Sequence, residues 1–262
     1  MKAKKSFGQH FLNNETIAQR IVDALPYDNV IKNVLEIGPG KGVLTKYLLQ
    51  KDINLKVVEA DKDMVSYLKT NYNLDDSQVI FLDFLKLNLT KVFDNQEFRL
   101  IGNYPYNISS QILIKMINYY RLVPDMVGMF QKEVAERVVA PEGSKTYGVI
   151  SVLVQLYYHG KQIIKVSPGN FSPPPKVDSS VIFLERREDR VIDFDERLFR
   201  QIVKVSFGQR RKMLRNTLKN IIGDHTFIED DSLIKRPEQL SVEEFIQLTK
   251  IIENIKSEHD ES

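Results

Sequence analysis

Val34-Leu35-Glu36-Ile37-Gly38-Pro39-Gly40-Lys41-Gly42 is the stretch on which the reading of this chain turns. Val34–Ile37 is a short, mainly aliphatic run. Three glycines spaced two apart follow it at once, and then the helix-like stretch 43–49. A strand that feeds a glycine-rich loop and a helix is the opening unit of an α/β sheet. The dinucleotide fingerprint G-x-G-x-x-G would put its third glycine one position later. The closer spacing behind Glu36 suits a cofactor without a pyrophosphate, which needs no helix N-terminus to neutralise phosphates. Backbone can then approach the amino-acid part of S-adenosylmethionine. A tight structural turn is the bland reading of the same residues.

Working outward, Glu59 closes the next apolar run, seventeen residues past Gly42. A carboxylate there can accept from both hydroxyls of a ribose. Asp83 closes the third run and can accept from an adenine amine. Either acid alone could serve only solubility; their order in register points to a cofactor. Asn103-Tyr104-Pro105-Tyr106 ends the fourth run, about sixty residues after the glycine loop. The lone pair of an adenine N6 amine is delocalised into its ring. Two acceptors, the Asn103 side-chain oxygen and the Tyr104 carbonyl held by Pro105, can bind its N–H groups and favour a pyramidal nitrogen. Tyr106 can stack on the base. No general base need act first, because a sulfonium leaving group makes the transfer strongly downhill. A proline turn at a strand end is the alternative. The two motifs together point to S-adenosylmethionine-dependent methylation of a nucleobase amine.

The chain has 262 residues, 42% of them hydrophobic and 27% charged, and this describes an ordinary globular protein with one sizeable core and a small appendage. The absence of cysteine excludes disulfides, thiolate catalysis and zinc–cysteine sites. His10, His159, His225 and His259 lack metal-ligand spacing, so no metal is expected. The longest apolar stretch, around Val149–Tyr158, is too short to cross a membrane and reads as a core helix. The basic Met1-Lys2-Ala3-Lys4-Lys5 has no apolar region behind it, so a secretory signal is not expected and a cytoplasmic enzyme is.

Short apolar runs at Val34–Ile37, Lys56–Val58, Val79–Leu82, Leu100–Gly102, Met126–Phe130, Gln162–Val166 and Ser180–Leu184 alternate with helical patterns, several with candidate caps such as Asn14 and Ser109. The spacing predicts a doubly wound sheet ending in a hairpin. The charged stretch 185–190 marks a boundary, so the division is 1–187 and 188–262. Beyond it helical spacing dominates: Leu198–Phe207, Arg211–Ile221 and Val242–Ile255. Residues 199–220 hold seven basic side chains and no acidic one, while 221–262 hold eleven acidic and four basic, so the overall net charge of +2 hides a basic block. Arg210, Arg211, Lys212 and Arg215 form either a solvated face or a phosphate-binding one. Phe171-Ser172-Pro173-Pro174-Pro175-Lys176-Val177-Asp178-Ser179 is a stiff polyproline connector, or a device that holds Phe171 against the far face of a base.

Five segments carry a family likeness, in order and across nearly the whole chain: Lys5–Leu12, Glu36–Gly42, Gly102–Ile108, Phe171–Ser179 and Phe207–Lys212. They resemble the ribosomal RNA small-subunit adenine N6-dimethyltransferases of the bacterial kasugamycin-sensitivity (KsgA) type. The likeness implies a Rossmann-like S-adenosylmethionine methyltransferase sheet with a small C-terminal all-helical, RNA-docking domain. It implies a monomer that dimethylates two adjacent adenosines in the 3′-terminal hairpin loop of small-subunit rRNA, within a pre-ribosomal particle. By position it implies cofactor contacts at His10, Leu12, Gly38, Gly40, Glu59, Asp83 and Asn103. The target adenine would lie between Tyr106 and Phe171, beside Asn103, Tyr104 and Pro105. His10 stands where asparagine is frequent and Tyr104 where leucine is frequent; Tyr104 is expected to contribute mainly backbone. The rivals are a macrolide-resistance methyltransferase of large-subunit rRNA, a non-catalytic RNA-binding factor on the same fold, and a nicotinamide-dependent oxidoreductase.

Overall fold

The structure, a computed structural model, describes residues 10–222 and 230–260. The first part of the Lys5–Leu12 motif and the lysines at 2, 4 and 5 therefore lie outside the described residues. Contacts divide the chain into two compact units, residues 1–136 with 158–186 and residues 137–157 with 187–262. The expected boundary near 187 is one of three crossings. The segment 137–157 groups with the C-terminal residues rather than with the sheet.

The first unit opens with β1 (Phe11–Leu12) and α1 (Glu15–Asp23), the helix capped by the Asn14 side chain accepting from the Ile17 N–H at 3.1 Å. There follow β2 (Asn33–Ile37), α2 (Thr45–Leu48), β3 (Asn54–Glu59), α3 (Lys62–Tyr72), β4 (Val79–Phe81), β5 (Arg99–Asn103), α4 (Ser109–Asn118), β6 (Asp125–Gln131), α5 (Lys132–Val138), β7 (Tyr158–Val166), β8 (Phe171–Ser172) and β9 (Ser179–Arg186). Ser109 does not cap α4: it is the first helical residue, and its hydroxyl donates back to the Tyr106 carbonyl at 3.0 Å.

Seven strands form one sheet in the order β4-β3-β2-β5-β6-β9-β7. The pairs from β4 to β6 are parallel, and β9 runs antiparallel between β6 and β7. The central parallel strands β2, β5 and β6 are buried on both faces, which is why they read as largely apolar runs. At their lower ends the buried Arg99 guanidinium ties β5 to β6, donating to Asp125 at 2.8 Å and to the Ile31 carbonyl at 2.6 Å, with Asp28 as a third partner. Chain order reverses between β2 and β5, so a crevice opens at the carboxyl ends of β2, β3, β4 and β5. That is where a doubly wound sheet binds its ligand.

The second unit contains α6 (Val149–Tyr157), α7 (Glu196–Gly208), α8 (Leu214–Thr217), α9 (Lys219–Ile222) and α10 (Val242–Asp260). The apolar α6 packs on α7 and α10, which accounts for its place here. The rings of Tyr147, Phe207 and Phe245 meet at centroid distances of 6.0 Å. The expected helix Arg211–Ile221 is broken. Helix α7 stops at Gly208, Lys212 N–H closes a turn on the Gln209 carbonyl at 2.8 Å, and Leu214 N–H is drawn to the Lys235 carbonyl at 2.9 Å.

Candidate active site

The crevice is a cavity of about 360 Å³ whose wall includes His10, Phe11, Leu12, Glu36, Gly38, Gly40, Glu59, Asp83, Asn103, Tyr104, Pro105 and Tyr106. Every residue expected to touch the cofactor is therefore in one wall. Its floor is the glycine loop after β2. Gly40 has φ +54°, and a Cβ there would stand 3.0 Å from the Phe11 ring, so the loop passes under β1 only without a side chain. Gly42 has φ +76°, and its Cβ would fall 2.3 Å from the Tyr72 ring, whose hydroxyl donates to the Lys41 carbonyl at 3.0 Å.

Glu59 is 7% exposed and fixes the loop, its two oxygens accepting from the N–H of Gly40 at 3.1 Å and of Asp61 at 2.9 Å. Each oxygen keeps a second lone pair, so two ligand hydroxyls can still be met. Burial pushes this carboxyl up, against the backbone donors that favour its charge. Asp83 stands two residues past β4 and caps the turn Phe84–Lys86, accepting from Leu85 N–H at 2.9 Å.

Asn103 ends β5. Its Nδ2 donates to the His10 carbonyl at 3.0 Å, which turns Oδ1 into the acceptor available to a ligand amine. Tyr106 begins the helical turn Tyr106–Ile108; its hydroxyl shares a 2.5 Å hydrogen bond with Ser179. The His10 ring stacks on it with centroids 5.3 Å apart and planes at 28°, and His10 Nδ1 meets the Pro173 carbonyl at 2.8 Å. A carbonyl only accepts, so Nδ1 carries the hydrogen.

Two expectations shift. Phe171 is 3% exposed, paired across from Leu12 in a two-stranded ribbon with β1, and packed in the core cluster rather than lining the cavity. To cover the far face of a base it must leave that seat. Tyr104 contributes more than backbone. It is 1% exposed, and its ring occupies the space that Cβ atoms on Gly102 and Gly128 would take, at 2.5 and 2.3 Å. Glu36 lines the cavity and Thr45 stands behind it, and the sequence reading gave neither a role in the site. Glu36 is 1% exposed and accepts from the Thr45 hydroxyl at 2.7 Å. Burial, reinforced by the charge of Glu59, pushes its carboxyl up to about 8. No spacing rule marks a threonine nine residues on as its partner.

In the second unit Arg211, Lys212 and Arg215 are exposed. Arg210 is tied down instead: its guanidinium donates to the carbonyls of Lys145 at 2.8 Å and Ser144 at 3.1 Å and approaches Glu238 at 3.8 Å. Among the described residues no group of three or more histidine, aspartate or glutamate side chains could hold a metal ion, and no helix is long and apolar enough to cross a membrane.

A sheet with this strand order, carrying an acidic–glycine loop at its reversal point and acids at the next two strand ends, is that of the Rossmann-like S-adenosylmethionine-dependent methyltransferases. Within that class the chain belongs to the ribosomal RNA adenine dimethylase family, whose model matches residues 1–254. A Flavobacterium johnsoniae protein named Ribosomal RNA small subunit methyltransferase A is 51% identical over 97% of both chains. One of the same name from Bacteroides thetaiotaomicron is 50% identical over 97% of this chain and 95% of its own. A dimethyladenosine transferase from Plasmodium falciparum superposes with a TM-score of 0.77 at 26% identity, covering 94% of this chain and 98% of that one. The 23S rRNA methyltransferase ErmE superposes at 0.66 with 21% identity, over 92% and 99%, a likeness of fold alone.

Proposed function

We propose that this enzyme dimethylates N6 of two adjacent adenosines in the 3′-terminal hairpin loop of small-subunit rRNA, acting as a cytoplasmic monomer on a pre-ribosomal particle. The observation that carries the chemistry is Asn103, which lines the cavity with Pro105 and Tyr106 and whose amide nitrogen is held by the His10 carbonyl, leaving Oδ1 as its acceptor. Bound S-adenosylmethionine supplies an electrophilic methyl group. Glu59 accepts from its ribose hydroxyls, Asp83 from its adenine amine, and the glycine loop gives close backbone approach. Tyr106, oriented by Ser179, stacks the flipped base. Asn103 Oδ1 and the Tyr104 carbonyl accept from the target amine and favour its pyramidal form, which concentrates the lone pair. The proton leaves after transfer. Arg211, Lys212 and Arg215 meet RNA phosphates. Arg210 shares that task only through what its own hydrogen bonds leave free.

The choice of small-subunit rRNA is supported by the names of relatives near half identity over the whole chain, against a large-subunit neighbour at 21%. The test is to incubate under-methylated small subunits with the enzyme and labelled S-adenosylmethionine, then map the modified nucleotides. Label on two adjacent adenosines near the 3′ end is expected. Label elsewhere, or only on large subunits, refutes the substrate. Tight cofactor binding without any label favours the non-catalytic rival.

A further inference from the structure

We infer that Glu36 is a second acidic partner of the cofactor, held as the neutral acid in the free protein and ionised when a cationic ligand is seated, so that binding expels a proton. This rests on the methyltransferase reading above and deepens it.

Glu36 and Glu59 are buried in the wall of one cavity. Two carboxylates in one low-dielectric site do not both ionise readily, so the environments decide which keeps its proton. Glu59 accepts from the backbone N–H groups of Gly40 and Asp61, whereas Glu36 accepts from Thr45 alone. Backbone donors aimed at a carboxylate favour its charge, so the proton resides on Glu36. Burial pushes Glu36 up to about 8, in line with the geometry.

The other titratable groups around it do not supply the missing cation. Lys41 holds its Nζ 4.9 Å over the Phe11 ring. The Tyr72 phenol donates to the Lys41 carbonyl, and the Tyr104 phenol is buried without a partner; burial raises both, and Glu36 adds to the rise. Asp83 adds negative charge at the far strand end. Among the described residues no lysine or arginine forms an ion pair with Glu36. S-adenosylmethionine brings two cationic centres, an ammonium and a sulfonium, into a cavity that holds these acids. Either favours the carboxylate, and the proton passes from Glu36 to solvent. No covalent bond changes.

Titration calorimetry of the full chain with S-adenosylmethionine, without RNA, tests this in two buffers of different ionisation enthalpy at pH 7. With Glu36 at about 8, close to one proton per site should be released, about 0.9 by mass action. Affinity should rise roughly tenfold between pH 6 and 7 and level off above 8. In Glu36→Gln the release and the pH dependence should both vanish while binding persists. Identical enthalpies in the two buffers, or unaltered release from the glutamine variant, overturn the inference. Should Glu36→Gln not fold, Thr45→Val takes its place. Losing the hydroxyl donor should move the affinity rise to higher pH, and an unmoved rise overturns the inference. A folded wild-type chain that fails to bind S-adenosylmethionine at all overturns the methyltransferase reading itself.

Discussion

Replacing Gly128 by alanine puts a methyl group 2.3 Å from Tyr104 Cε2 and 2.7 Å from Phe130 Cε2, where 3.4 Å is ordinary contact. The Tyr104 ring must retreat by about 1 Å, and it has nowhere to go. It is 1% exposed, and its other edge lies so close on the Gly102 backbone that a Cβ there would stand 2.5 Å away. Overpacking of a closed core costs about 1–3 kcal/mol, and this site belongs at the upper end. At roughly 2–4 °C per kcal/mol the melting temperature should fall by about 6–12 °C. The retreat also pulls on Asn103 and Pro105, so single-turnover methylation should slow beyond the loss of folded enzyme. Urea denaturation of four chains measures the effect: wild type, Gly128→Ala, Tyr104→Leu and the double variant. The double variant should be more stable than the sum of the singles by 1 kcal/mol or more, because leucine vacates the space the methyl needs. Gly102→Ala should not be rescued, since its Cβ also meets the Ile37 carbonyl oxygen at 2.6 Å. Additive losses in the double variant, or an unperturbed Gly128→Ala, would refute the reasoning.

Glu59→Ala should weaken S-adenosylmethionine binding by roughly 2–3 kcal/mol in calorimetry, the range for charge-assisted hydrogen bonds; an unchanged dissociation constant removes Glu59 from the site. Asn103→Ala should lower the single-turnover rate by about 10²-fold or more with RNA affinity little changed. Loss of affinity at a normal saturated rate would make Asn103 a binding residue only. Replacing Arg211, Lys212 and Arg215 with glutamine should make the slope of log affinity against log salt shallower by about 0.7–0.9 per lost phosphate contact, leaving cofactor binding untouched. Arg210→Gln should in addition lower thermal stability, because Ser144 and Lys145 lose their donor. A carboxyl raised from 4.5 to about 8 binds its proton more tightly in the folded chain, so the stability Glu36 contributes is intact below about pH 4.5 and is lost as pH climbs toward 8. Between pH 5 and 8, denaturation of the cofactor-free chain should show a decline, steepest at ~1.4 kcal/mol per unit, that Glu36→Gln flattens.

The parallel strands were legible because strands buried on both faces must be apolar along their whole length, and glycines and acids punctuate their ends. All seven sheet strands fall on the expected runs, and Glu59, Asp83 and Asn103 come together because each ends or closely follows a strand on the same edge. Legibility fails where long-range partners decide the structure. The helix expected at Arg211–Ile221 is interrupted because Leu214 bonds to Lys235, a residue no local pattern could nominate. Segment 137–157 joins the second unit through the packing of its apolar helix on α7 and α10, and hydropathy alone does not say which core an apolar helix enters. Tyr104 reads as a tolerable exchange until Gly102 and Gly128 are seen to make its room. Burial of Phe171 is invisible for the same reason, since it depends on Leu12 at the other end of the unit.

The ribbon of β1 and β8 has a consequence for the order of folding. Leu12 pairs with Phe171, Asn13 N–H donates to the Asn170 carbonyl at 2.9 Å, and the Asn14 amide donates to the Asn170 side chain at 2.8 Å. These contacts close a loop of about 160 residues, the kind of non-local pairing that a growing or refolding chain acquires late. The β2–β5 sheet and its glycine loop can form from the first 110 residues emerging from a ribosome. Until the residues around 171 arrive, however, nothing holds His10 to Pro173, and the Asn103 amide has no fixed carbonyl to orient it. A methyltransferase of ribosomal RNA thus completes this wall of its cavity only after most of its chain has been synthesised, and shorter nascent chains carry the glycine loop without β8.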